Sequence, residues 1–276
     1  MIGIFGQTRE DVATLLENVT INQKRNIGSM TIYNVTYNGQ NLYIVVTGIG
    51  KANVAFAMGY ALVKLCVNKV IVVGNATGID ATTAPIGSVA IATSSLEWDV
   101  DFEGLGFEEY VVPPNRVSQY PTDVVLQRSA IEASNDLGYQ TVTGLFASGD
   151  TFVVDATEAT QIATDTGAEF LDIDTAPVGQ ISYQMDIPYI SVKGISNNAN
   201  ATIVSDYNTN RLVANNLSNR VVLEMLNTLF EEKENICSNQ ENNWQPTNTC
   251  INNINYYGMC NMYCNRNRWG YNGFRY

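Results

Sequence analysis

Histidine is absent from this chain of 276 residues. That one gap excludes Ser-His-Asp and Cys-His nucleophilic catalysis, imidazole-ligated metal and the usual side-chain switch near neutral pH. Basic side chains are scarce too, 15 Lys and Arg against 27 Asp and Glu, for a net charge of −12. That balance argues against sequence-independent binding to nucleic acid and against docking on an anionic membrane. No apolar run approaches the roughly 20 residues that span a bilayer. The start, Met1-Ile2-Gly3-Ile4-Phe5-Gly6, lacks the basic opening and long apolar stretch of a secretion signal. A cytoplasmic setting is the default expectation, with a spore or cell surface as the alternative if the C-terminal cysteines are oxidised. What is plentiful suits a globular protein: 45% hydrophobic residues and a mean hydropathy near zero. The length allows one large α/β domain with an extension.

Residues 1–232 read as strands alternating with helices, the pattern of a layered α/β domain. Residues 2–5 form a short apolar strand ending in a Gly6 turn. Residues 8–18 have helical spacing, with Thr8 at the cap and Asp11 three residues on in the box position. Residues 30–37 and 41–47 are rich in strand formers and flank Asn38-Gly39, a strong hairpin signal. Residues 52–66 are apolar almost all round and predict a buried helix. Residues 69–73, 87–93 and 188–192 read as buried strands of a parallel sheet. Residues 122–137 and 209–230 are the clearest amphipathic helices. From 233 to 276 the composition turns to Asn, Tyr, Cys and Trp, without aliphatic periodicity. Residues 242–276 carry +3 and the rest −15, together the −12 of the whole chain. Four of the five cysteines, Cys237, Cys250, Cys260 and Cys264, lie in this extension. It reads either as a low-complexity appendage or as a segment that stacks on another surface. Their spacing argues against a four-thiolate zinc site and leaves disulfides and free thiols open. The five Asn-x-Ser/Thr sequons are expected by chance in so Asn-rich a chain.

Several short motifs keep a consistent order. The opening strand leads into Glu10-Asp11-Val12. Thr47-Gly48-Ile49-Gly50-Lys51-Ala52-Asn53 makes a glycine turn into a helix, without the third glycine of a dinucleotide loop, since position 53 is Asn. Val73-Gly74-Asn75-Ala76-Thr77-Gly78, Trp98-Asp99-Val100-Asp101, Ser148-Gly149-Asp150-Thr151-Phe152-Val153, Asp172-Ile173-Asp174 and Val192-Lys193-Gly194-Ile195-Ser196-Asn197 follow. Together they resemble the 5′-methylthioadenosine/S-adenosylhomocysteine nucleosidases of the purine nucleoside phosphorylase superfamily. The likeness covers residues 1 to about 232; the extension has no counterpart. It implies a three-layer α/β sandwich with a mixed, partly barrel-like central sheet, followed by an irregular C-terminal extension. It also implies a homodimer or larger homo-oligomer with the site near the subunit interface, a purine nucleoside as ligand, and neither cofactor nor metal.

Cleaving an N-glycosidic bond requires a proton for the leaving base, a deprotonated water and a grip on the ribose while positive charge develops. By the resemblance, Asp11 stands where a Glu activates the water, Asp174 where a Glu grips the ribose, and Asn197 where an Asp protonates the base. Asp172 likewise replaces a Glu. An amide donates a hydrogen bond but delivers no proton. Asn75, Phe152, Val153, Asp172, Ile173 and Tyr207 are the implied binding residues, with Phe152 stacking on the base. Phe102 and Leu105 fall near the expected pocket for the 5′ substituent. Ser88 stands where the family has a Gly-Asp pair. Arg9 reads as a solvated helix residue rather than a phosphate ligand. The leading expectation is a nucleosidase-like protein that keeps a purine-nucleoside pocket and has lost most N-ribosyl hydrolase activity. The alternatives are a structural assembly protein that reuses the fold, with its tail between copies, and an active nucleosidase or phosphorylase of altered specificity.

Overall fold

The structure, a computed structural model, describes residues 1–241, with side-chain burial assigned through residue 230. The chain folds as β1 (Ile2–Gly6), α1 (Ala13–Glu17), β2 (Thr20–Ile27), β3 (Met30–Tyr37), β4 (Gln40–Val46), α2 (Lys51–Lys64), β5 (Lys69–Val72), β6 (Asn75–Gly78) and β7 (Val89–Glu97). It continues through β8 (Tyr120–Pro121), α3 (Val124–Asp136), β9 (Thr141–Ser148), α4 (Ala156–Thr166), β10 (Phe170–Asp172), α5 (Thr175–Met185), β11 (Tyr189–Asn198) and α6 (Ile203–Glu241). Single 3-10 turns span Glu10–Val12 and Glu103–Leu105.

Eleven strands pair in the order β2-β3-β4-β1-β5-β11-β6-β10-β9-β7-β8. β11 also pairs antiparallel with β7, so β11, β6, β10, β9 and β7 close into a barrel at one end of an open sheet. The sheet is mixed: β4, β1, β5 and β11 run parallel, while β2 and β3 are added by antiparallel hairpins. The β3–β4 turn is the Asn38-Gly39 pair, both at positive φ (46° and 73°), the conformation a two-residue hairpin demands.

Side-chain alternation explains the layers. Ile4, Ile44, Ile71 and Ile190 point to one core, under α1, α3 and α6. Their chain neighbours Phe5, Val45, Val70, Val72 and Tyr189 point to the other, where Val54, Ala57, Met58 and Ala61 of α2 and Val178 of α5 pack. Val70, Ile71, Val72 and Val73, covered on both faces, are apolar at every position, as the continuous run predicted. The barrel interior is filled by Ala76, Ala90, Ala92 and Ile195 around Phe146 and Phe170, whose ring centroids are 4.7 Å apart.

Some elements depart from the sequence reading. Residues 8–18 form a 3-10 turn and one short α-helix. β2 has no apolar face to announce it, because its residues are exposed at the sheet edge. α6 starts at Ile203 and runs through the expected boundary at 232 to Glu241. The expectations for assembly contacts, metal or disulfide chemistry at Cys237, Cys250, Cys260 and Cys264 lie outside the residues whose side chains are described. Among the described residues, no helix is long and apolar enough to cross a membrane.

Candidate active site

The carboxyl ends of β1, β5, β9 and β10 open on one cavity of about 320 Å3. Parallel strands of α/β proteins commonly present ligand sites there. Its wall includes Asp11, Gly74, Asn75, Trp98, Phe152, Val153, Asp172, Ile173, Asp174, Lys193, Tyr207, Arg211 and Asn215. Eight of the nine site residues expected from sequence thus line one space; the ninth, Asn197, does not.

Asp11 is 7% exposed. Its N–H donates to Thr8 Oγ1 (3.3 Å), and the Thr8 N–H donates to its Oδ2 (2.8 Å), the reciprocal box written in the sequence. Its Oδ1 accepts from Asn215 Nδ2 at 3.0 Å. Asn219 grips the same turn: its Nδ2 donates to the Asp11 carbonyl (2.7 Å) and its Oδ1 accepts the Leu15 N–H (3.1 Å). Burial pushes the Asp11 carboxyl above the usual carboxylate range. The Lys193 charge and the Thr8 N–H oppose this rise, and the Asp174 charge adds to it.

Lys193 is the residue the sequence reading passed over. It projects from a fully buried strand, and its ammonium lies 2.6 Å from Asp174 Oδ1 and 3.7 Å from Asp172 Oδ2. It also donates to the Val73 carbonyl at 3.0 Å. Burial works against the charged ammonium, yet the nearby Asp174 and Asp172 carboxylates hold the Lys193 pKa above its ordinary value. A lysine inside an apolar strand signals a buried acidic partner, but its partner is distant in sequence. Gly74 adopts φ +131°, and a Cβ there would stand 3.3 Å from Lys193 Nζ and 3.4 Å from Asp11 Cγ. Glycine keeps the space between the Asp11 carboxyl and the Lys193 ammonium open.

Asp172 is held from behind. Ser148 Oγ donates to its Oδ1 (2.5 Å), Thr175 Oγ1 donates to its Oδ2, and the Thr175 N–H donates to Oδ1 (3.3 Å). Burial first, then the Asp174 charge, push its carboxyl up to about 7, against the pull of Lys193 and the hydroxyl bonds. The Phe152 and Tyr207 rings, also in the cavity wall, pack at 4.9 Å between centroids.

Asn197 is 1% exposed, and both ends of its amide are engaged. Nδ2 donates to Thr77 Oγ1 (2.8 Å), and Oδ1 accepts from Ser196 Oγ (2.7 Å). Ser196 Oγ also lies 3.3 Å from Asn75 Oδ1, and Asn75 Nδ2 donates to Asn215 Oδ1 (2.9 Å). A line of amides and hydroxyls therefore joins Asn197 to Asp11. Phe102 and Leu105 lie outside the cavity wall, and Leu105 is 74% exposed. Ser88 donates to the Pro85 carbonyl, and Arg9 is exposed. Among the described residues, no group of three or more His, Cys, Asp or Glu is arranged to hold a metal ion.

The arrangement offers an oriented base in Asp11, a charge-paired acceptor in Asp174, and aromatic surface for a planar group. An open mixed sheet thus continues into a closed barrel, with a cavity of acids and aromatics at the strand ends. The chain belongs to the phosphorylase superfamily, whose family model matches residues 1–227. It is similar to the 5′-methylthioadenosine/S-adenosylhomocysteine nucleosidase of Glaesserella parasuis, 28% identical over 229 residues, which covers 82% of this chain and 98% of that one. The Staphylococcus carnosus nucleosidase of the same name is 27% identical over 232 residues, covering 83% and 100%. Among solved structures, the Neisseria meningitidis nucleosidase in complex with methylthio-immucillin-A superposes with a TM-score of 0.78 at 22% identity, covering 82% of this chain and 98% of that one. The Colwellia psychrerythraea nucleosidase in complex with adenine gives 0.77 at 24% identity, covering 82% and 94%.

Proposed function

We propose that the protein binds purine nucleosides in this cavity and cleaves their N-glycosidic bond slowly. Water enters beside Asp11, whose raised pKa suits it to accept a proton. Asp174, charge-paired with Lys193, takes the ribose hydroxyls. The base stacks against Phe152. The ligands of the two solved nucleosidases, methylthio-immucillin-A and adenine, support a purine-type ligand.

The observation that carries the slow-cleavage reading is Asn197. It stands where the family resemblance places the proton donor, behind Thr77 of the cavity wall, has no proton to give, and has both ends of its amide bound within the protein. Absence of a general acid lowers rates by about 10²–10⁴. Incubation with 5′-methylthioadenosine tests this: the ligand binds, and adenine appears slowly. Rapid adenine release by the unaltered protein overturns the reading in favour of an active enzyme of altered specificity.

We also place this chain in a homodimer. The outward face of α2 presents Ala52, Ala55, Phe56, Gly59 and Val63 to solvent, with Ile49 beside it. Phe56 is 48% exposed, Val63 56% and Ile49 60%. An apolar stripe of this kind favours cover by a second copy.

A further inference from the structure

Three of the sequence motifs carry charged residues that do not line the cavity, and the fold brings those residues together. Lys51 Nζ donates to Asp99 Oδ1 (2.6 Å) and to Glu97 Oε2 (2.7 Å). The Asp99 carboxylate accepts the Asp150 N–H through its other oxygen (2.9 Å). Asp150 Oδ1 in turn accepts the Lys51 N–H (2.7 Å), which closes a ring.

The ring has a local cause. The N-cap of α2 is Gly50, which has no side chain to cap the first turn. Asp150 supplies the carboxylate from another loop, where the helix N-terminus favours negative charge. Gly50, at φ +100°, leaves room for it: a Cβ there would stand 3.3 Å from Asp150 Oδ1. Each of these residues lies within two positions of a residue of the cavity wall. Lys51 follows Ile49 by two positions, Glu97 and Asp99 flank Trp98, and Asp150 precedes Thr151 and Phe152. Gly149 packs so closely on Trp98 that a Cβ would meet the indole Nε1 at 2.5 Å.

We propose that Lys51 is a positioning residue for base recognition: its ammonium fixes Asp99, and through Asp99 the Asp150 loop that carries Phe152. It touches neither the cavity nor any reacting atom. The proposal rests on the reading that the cavity takes a purine nucleoside. The lysine and Asp99 side chains are 18% and 20% exposed, so the pair is open to screening by salt.

The test compares the unaltered protein with Lys51→Met, which keeps the stem, and Lys51→Arg, which keeps the charge. One readout is hydrogen exchange over residues 149–153 in the unliganded protein. The other is calorimetric binding of 5′-methylthioadenosine at about 50 mM and about 500 mM salt. Lys51→Met is expected to exchange about tenfold faster at this segment only, with the core amides unchanged. It should bind about tenfold more weakly and lose the salt dependence of the unaltered protein, while the rate of adenine release at saturation stays within about twofold. Lys51→Arg restores both exchange and affinity. Unchanged exchange in Lys51→Met overturns the positioning role whatever the ligand. Faster exchange with unchanged affinity overturns its role in recognition. If exchange responds but the unaltered protein binds no purine nucleoside, the functional reading of the cavity fails instead, and this role in recognition falls with it.

Discussion

Removing the Lys193 ammonium leaves Asp172 and Asp174 buried together without a cation. Breaking a buried ion pair from one side typically destabilises by about 3–5 kcal/mol. Lys193→Met is therefore expected to unfold at clearly lower denaturant in an equilibrium titration, and the Asp172→Asn, Lys193→Met double variant should recover part of the loss. Asp172 makes a second, pH-dependent prediction. Its carboxyl is held near 7 in the folded chain, against 3.8 as the ordinary value. A carboxyl raised in this way stabilises the folded state while protonated. That contribution is complete below the unfolded value and is lost as pH climbs through about 7. Melting curves of the unaltered protein and Asp172→Asn across this window should show the unaltered protein losing ground to the variant as pH rises. A constant difference between the two contradicts the assignment.

At the scale of elements, α6 bears on Asp11 most directly. Its buried polar stripe, Asn215, Ser218 and Asn219, interrupts an otherwise apolar face: Asn215 and Asn219 hold the turn after β1, and Ser218 donates to the Val192 carbonyl of β11. Asn219→Ala leaves the Leu15 N–H and the Asp11 carbonyl without their partner. The expected loss is about 1–3 kcal/mol per stranded group, read by denaturant unfolding, with a further drop in adenine release because Asp11 is no longer held. The stripe has i, i+3, i+4 spacing and could have been read from the sequence, but what it grips lies about 200 residues away and could not. Continuous apolar runs made β1, β5 and the start of β11 legible, and Asn38-Gly39 fixed the β3–β4 hairpin. β10 is only three residues long, and β6 mixes Asn, Thr and Gly, so neither carries a periodic signal. Eight of the nine expected residues, from Asp11 to Tyr207, line the cavity, whereas Asn197, taken from the same motif as Lys193, lies outside its wall. Lys193 and Asn215 were not singled out, because burial and partners, rather than residue type, give them their place.

At the scale of the whole molecule, the barrel and the open sheet bring strand ends together around one cavity, while α2 turns an apolar face outward. Phe56→Glu places a charge in the middle of that face, and the expected outcome by light scattering is a monomer with an unchanged circular dichroism spectrum. A protein that is monomeric before the substitution contradicts the dimer. Under the proposed function, the cavity recognises a purine nucleoside yet lacks the group that protonates the leaving base. Asn197→Asp is compatible with its surroundings, since the Thr77 and Ser196 hydroxyls can both donate to a carboxylate. The most direct measurement is adenine release from 5′-methylthioadenosine at saturation, with binding measured in parallel. The account predicts comparable affinity in both proteins and turnover at least about 10² higher in Asn197→Asp. Equal turnover in the two, or rapid release by the unaltered protein, contradicts it.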